Sequence, residues 1–126
     1  MLFLDTSVLV EALTGPRRAG PAMRSAVERG ERLMLLALVL YEWLRGPRAP
    51  AEIADQETLF PADIVVPFEA QDAALSAKLY RSVKRPRGRE IDLAIAACAI
   101  NREALLWTMN RADFADIPGL KLYQAA

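Results

Sequence analysis

The chain has 126 residues, 53% hydrophobic and 25% charged, and its sixteen Asp and Glu balance sixteen Lys and Arg. That length and apolar content suit one globular domain over residues 1–126 and exclude a disordered chain. Histidine is absent and cysteine occurs once, which excludes Ser-His and Cys-His nucleophile systems, histidine-based zinc sites and an internal disulfide.

Residues 1–4, Met-Leu-Phe-Leu, read as a short buried strand, and Asp5-Thr6-Ser7 then offers N-cap chemistry to a helix carrying Val8, Leu9, Ala12 and Leu13. Gly15-Pro16 ends that helix. A second amphipathic helix is predicted over residues 21–29, closed by Gly30, and residues 32–36 form the next apolar strand. Residues 38–44 are too apolar for a surface and stop at Gly46-Pro47, so a buried helix of two turns is expected. A short helix near residues 51–59 follows, then a β-branched strand at 64–66. Ala74, Leu75, Leu79 and Val83 give helical spacing over 71–83, broken by Arg85-Pro86-Arg87-Gly88. Residues 90–101 form a nearly all-apolar helix, 105–108 a strand and 120–123 a last short strand.

Strands that alternate with helices imply a mostly parallel sheet covered on both faces, with sites gathering beyond the carboxyl ends of the strands. Asp5 and Asn110 fall just past such ends. No apolar run approaches membrane-spanning length, no basic leader precedes Asp5, and the single Cys98 lies in an Ala/Ile run as a small buried hydrophobe. A cytoplasmic protein is expected, with no membrane partner.

Charge is segregated despite its zero sum. Residues 78–89 hold six bases and no acid, whereas 52–72 hold six acids and no base. Such a basic stretch can attract a phosphate backbone even in a neutral protein, although a solvated helix end explains it as well.

Three acids interrupt or end apolar stretches, and these are Asp5, Glu42 and Asp92. Such positions predict burial, and no base lies within the three runs to pair with them. For any one acid a cap or a hidden salt bridge suffices; for three converging on one pocket, mutual repulsion calls for a polyvalent cation. Oxygen-only ligands favour Mg²⁺ or Mn²⁺. Asp113, in Asn110-Arg-Ala-Asp-Phe, reads by itself as part of a polar turn. Glu90 lies two positions from Asp92, on another helix face, and reads as a helix-start acid. Thr6, Thr108 and Asn110 are short polar groups at predicted strand ends, suited to orienting carboxylates or water, or to capping.

Four stretches in order then carry a family resemblance: Leu4-Asp-Thr-Ser, Tyr41-Glu-Trp-Leu-Arg-Gly, Glu90-Ile-Asp-Leu-Ala-Ile-Ala-Ala, and Thr108-Met-Asn-Arg-Ala-Asp-Phe with Ile117-Pro-Gly-Leu. Each is weak alone, but the ordered set spans nearly the whole chain and resembles the PIN-domain family, within it the VapC-like toxins of toxin-antitoxin pairs. The resemblance implies a Rossmann-like three-layer α/β sandwich with a small, mostly parallel sheet flanked by helices, and Mg²⁺- or Mn²⁺-dependent cleavage of RNA, tRNA or rRNA. By motif it makes Asp5, Glu42, Asp92 and Asp113 the acidic, metal-binding and catalytic site, with Asp113 serving a distant second metal. Arg81, Lys84, Arg85, Arg87 and Arg89 would contact RNA or an antitoxin. A cognate antitoxin, a homodimer, and a heterotetramer or larger assembly with the antitoxin are implied partners. One departure is the place near Ala37, where the family often has a capping Ser or Thr and this chain has no hydroxyl, so a looser helix start is expected.

Three other readings compete. A receiver-like signalling module would also use an aspartate after a strand with Mg²⁺, but needs a lysine after a late strand, and none lies between Lys84 and Lys121. An Asp-x-Asp phosphatase would need an acid where Ser7 stands. A catalytically silent PIN scaffold would bind proteins without cleavage, against which the intact acids argue.

Overall fold

The apolar opening of the chain becomes β1 (Leu2–Leu4), fully buried on both faces, which is why it needs no polar alternation. In the computed structural model, which describes residues 1–125, β1 is the centre of a three-stranded parallel sheet ordered β2-β1-β3. β2 (Leu33–Met34) sets Leu33 beside Leu2 and Met34 beside Phe3. β3 (Leu105–Trp107) sets Leu105, Leu106 and Trp107 beside Leu2, Phe3 and Leu4.

The β1–β2 connection holds α1 (Thr6–Leu13) and α2 (Gly20–Glu28), and the β2–β3 connection holds α3 (Ala37–Arg45), α4 (Pro50–Leu59), α5 (Ala70–Ser82) and α6 (Glu90–Asn101). α1 packs against α2, α3 and α4, whereas α5 packs along α6, which also meets α3 and β3. The result is the α/β sandwich expected from the sequence. α6 is apolar nearly all round and correspondingly deep, with Leu93 and residues 95–99 buried against β3, α3 and α5. Within it Cys98 is buried, and burial pushes its thiol up to about 12, an inert core side chain.

The α5–α6 contact carries a feature the sequence reading did not single out. Asp72 is fully buried, yet Arg102 grips its carboxylate at 2.8 and 3.0 Å, Asn101 donates to it at 2.9 Å and the Glu69 amide at 2.8 Å. Burial alone would raise this carboxyl; the bonds from Arg102, Asn101 and Glu69 outweigh burial and hold it well below the usual range.

Three expectations need correction. Residues 64–66 are not a strand: residues Ala62–Ile64 make one 3₁₀ turn, and Val66 forms a lone parallel bridge to Leu36. Pro61 and Pro67 flank the segment and lack the N–H groups that would extend a ladder. Residues 120–123 likewise give one bridge, Leu122 to Leu106, because β3 is only three residues long. Finally, α3 is amphipathic and not wholly buried: Val39 and Trp43, one turn apart, face the core, while Tyr41 and Leu44 are exposed. No helix among the described residues is long and apolar enough to cross a membrane.

Candidate active site

Asp5 is placed by the sheet. Its amide donates to the Trp107 carbonyl at 2.9 Å, so the residue sits one step past the carboxyl end of the central strand. Its carbonyl accepts the Val8 amide and starts α1, yet its side chain makes no cap bond. The N-cap role expected for it is therefore confined to the backbone, and the carboxylate is free for other work. The residue as a whole is only 5% exposed. Ser7 Oγ donates to Oδ2 at 2.9 Å and Thr108 Oγ1 donates to the same oxygen at 2.8 Å. Among the described residues no donor reaches Oδ1.

The hydroxyls are held in turn. The Met109 amide donates to Ser7 Oγ and the Asn110 amide to Thr108 Oγ1, both at 3.0 Å. Thr108 thus orients Asp5 from the end of β3, and Asn110 acts here through its backbone. Ser7 does the same work as Thr108 and was missed by the sequence reading; its spacing, two residues after a buried Asp, is the available signal.

Glu42 approaches from α3. Thr6 Oγ1 donates to its Oε1 at 2.6 Å, while Arg45, one turn on, reaches Oε2 at 3.4 Å and lies over the Tyr41 ring. The start of α3 is not loose despite the missing hydroxyl, because the Ala37 amide donates to the Val66 carbonyl at 2.8 Å. The lone bridge at Val66 thereby does the work of a cap.

Asp92 enters from the first turn of α6, half-buried. Its carboxyl is pushed up to about 6, first by burial and then by the negative charges of Asp5, Glu42 and Asp113, with Arg89 opposing. Asp5, Glu42 and Asp92 line one open cavity of about 340 Å³, together with Thr6, Ser7, Glu11 and Asn110. Asp113 is exposed in the 3₁₀ turn Arg111–Asp113 and lies outside that lining, although its charge reaches Asp92. Glu90 accepts the Gly88 amide at the start of α6, as a helix-start acid would.

Among the described residues no three Asp, Glu, His or Cys side chains already close around one point as a finished cation cage. The donor chemistry nevertheless suits a hard divalent cation. The acids are all oxygen donors, two are braced by hydroxyls, and their mutual repulsion on Asp92 is the imbalance such a cation would relieve. A larger cavity of about 640 Å³ lies between α1, α2 and α4, walled chiefly by apolar groups such as Leu13, Met23, Val27 and Phe60. It brings together no comparable set of acids.

The basic stretch divides. Arg81, Lys84, Arg85 and Arg87 are exposed and form no ion pair among the described residues. Arg89 differs: it grips Asp116 at 2.6 and 3.0 Å and donates to the Asp113 carbonyl at 2.9 Å.

Comparison with known proteins gives a family and a fold. A sequence model of the PIN domain matches residues 2–120. The Mycobacterium tuberculosis protein named Ribonuclease VapC19 is 32% identical over 124 residues, covering 96% of this chain and 98% of that one. Among solved structures, VapBC-1 from nontypeable Haemophilus influenzae superposes with a TM-score of 0.76 at 22% identity, covering 98% of each chain. FitAcB from Neisseria gonorrhoeae gives 0.72 at 22% identity over 99% of this chain and 98% of that one. At these identities the two structures speak for the fold alone.

Proposed function

Since this chain belongs to the PIN-domain family, we propose that it is a divalent-metal-dependent endoribonuclease acting as the toxin of a toxin-antitoxin pair. The observation that carries the reading is the convergence of Asp5, Glu42 and Asp92 on one cavity at the carboxyl ends of parallel strands. A ribonuclease name on a relative matched over nearly its whole length, and VapBC and FitAcB complexes among the fold neighbours, support the activity and the antitoxin partner.

In this reading Asp5 and Asp92 hold the principal Mg²⁺ or Mn²⁺, and Glu42 and Asp113 complete its surroundings, bind a second ion or orient water. Such a cation supplies positive charge for the phosphoryl oxygens and eases ionisation of water. The chain's own contribution is positioning. Ser7 and Thr108 fix Asp5 through Oδ2 and leave Oδ1 open to the cavity. Thr6 fixes Glu42 through Oε1, leaving Oε2, which Arg45 reaches only at 3.4 Å, to orient the attacking water and take its proton. With no histidine in the chain, proton transfer falls to these carboxylates. Arg81, Lys84, Arg85 and Arg87 guide the RNA backbone or take hold of an acidic stretch of antitoxin. The domain acts in the cytoplasm as a homodimer, assembled with antitoxin into a heterotetramer or larger complex.

The test is incubation of the purified protein with a panel of transfer and ribosomal RNAs in Mg²⁺, Mn²⁺ or EDTA, beside folded Asp5→Asn and Asp92→Asn variants. Discrete products only with metal, lost in both variants, are expected. Wild-type protein that binds Mn²⁺ and leaves every RNA intact would return the chain to the silent-scaffold reading.

A further inference from the structure

Of the four acids in the proposed site, Asp113 has the weakest support. Asp5 is braced by two hydroxyls, Glu42 by one, and Asp92 rides on a half-buried helical turn. Asp113 sits exposed in a single 3₁₀ turn and has no side-chain bond among the described residues. Its distance from Asp92 is set by whatever ties that turn to α6.

The tie is Arg89. It is the N-cap residue of α6, three positions before Asp92, and its carbonyl accepts the Leu93 amide. Its guanidinium makes three bonds to the other segment: Nη1 to Asp116 Oδ2 at 3.0 Å, Nη2 to Asp116 Oδ1 at 2.6 Å, and Nη2 to the Asp113 carbonyl at 2.9 Å. The side chain is 21% exposed, unlike its basic neighbours. A planar fork matches a carboxylate with two bonds and has a further N–H left for the carbonyl, a geometry an ammonium group cannot reproduce.

We infer that Arg89 is a positioning residue: with Asp116 it straps the 111–116 segment to the start of α6 and so holds Asp113 within working distance of Asp92 for metal binding. This rests on the metal-dependent ribonuclease reading above. It also removes Arg89 from the set of bases that meet RNA. The strap acts on the backbone of Asp113, so its effect reaches the site without Arg89 touching substrate.

Calorimetric titration of RNA-free protein with Mn²⁺ tests this, using wild type, Arg89→Ala, Asp116→Ala, the double variant and Arg89→Lys, with Asp5→Asn as the control for the site itself. Each single alanine variant should weaken Mn²⁺ binding about 10-fold or more, the range for groups that orient metal ligands. The double variant should lose no more than either alone, because one strap is cut either way. Arg89→Lys should recover only part of the loss, and kcat at saturating RNA should fall in step while KM and its salt dependence hold. Asp116 is half-exposed, so its variant keeps the test sound if Arg89→Ala misfolds. Wild-type Mn²⁺ affinity in either alanine variant overturns the proposal. So does a loss in Arg89→Ala confined to KM with a shallower salt dependence, which would make Arg89 a phosphate contact. If wild type itself takes up no Mn²⁺, or Asp5→Asn binds it equally, the site reading fails and the strap falls with it.

Discussion

Asp92→Asn should stabilise the metal-free protein, because the carboxylate it removes is held at a cost. Burial and the charges of Asp5, Glu42 and Asp113 push the Asp92 carboxyl from 3.8 up to about 6. The folded chain therefore binds this proton more tightly than the unfolded chain, and stability falls as pH rises from about 4 to about 6. At about 1.4 kcal/mol per tenfold in proton affinity, the ionised carboxylate costs at most about 3 kcal/mol above that range. Solvent reaching the half-buried group reduces this to about 1–2 kcal/mol. Asparagine keeps the shape and loses the charge, so in EDTA near neutral pH its Tm should exceed wild type by about 4–8 °C. The gain should vanish below about pH 4. Saturating Mn²⁺ should reverse the order, since a cation at a hundred times its Kd adds about 2.7 kcal/mol to wild type and little to a variant that has lost a ligand. Scanning calorimetry in EDTA and in Mn²⁺ at both pH values is the assay. An Asn variant no more stable than wild type in neutral EDTA would refute the picture of mutually repelling acids.

Thr108→Val keeps the volume but strips Asp5 of a donor and leaves the Asn110 amide unpaired; urea unfolding should show a loss of about 1–3 kcal/mol. Asp72→Asn leaves Arg102 with only the distant Glu69 carboxylate, at 4.0 Å, as a charge partner and should cost about 3 kcal/mol by the same measurement. Because the Asp72 carboxyl lies below its ordinary 3.8, its contribution is fully present above about pH 4 and drains away as pH falls further, visible as a steeper loss of stability in acid for wild type than for the variant, with the gap between them closing. Arg85→Ala and Arg87→Ala should each lower the salt dependence of RNA binding by about 0.7 in log–log slope if each meets one phosphate, measurable by filter binding.

Much of this was legible in the sequence, for reasons visible in particular residues. Leu2-Phe3-Leu4 could only be an interior strand, and an acid directly after it had to be stabilised by something. Glu42 and Asp92 declared themselves by the same contrast with their surroundings. Asp113 did not, because an acid in an exposed turn looks like any other turn acid. Asp72 escaped for a related reason: in the first turn of α5 it looks like any helix-start acid, and only the fold brings Arg102 across to it. Ile64-Val-Val looked like a strand by composition, whereas the prolines on either side decide against a ladder. Arg89 was grouped with its basic neighbours because sequence proximity cannot show that one guanidinium turns inward to Asp116 while the others remain in solvent.

The register of β1 also bears on when activity can arise during synthesis. Asp5 leaves the ribosome well before the groups that set it, because the strand that anchors it on one side pairs Leu2 with Leu105, and one of the two hydroxyls that orient its carboxylate belongs to Thr108. Parallel pairing over about a hundred residues cannot precede the emergence of its distant partner. A growing chain therefore carries its leading acid without a pocket around it. A chain built this way cannot complete the surroundings of its leading acid until Thr108 has emerged and folded back beside it.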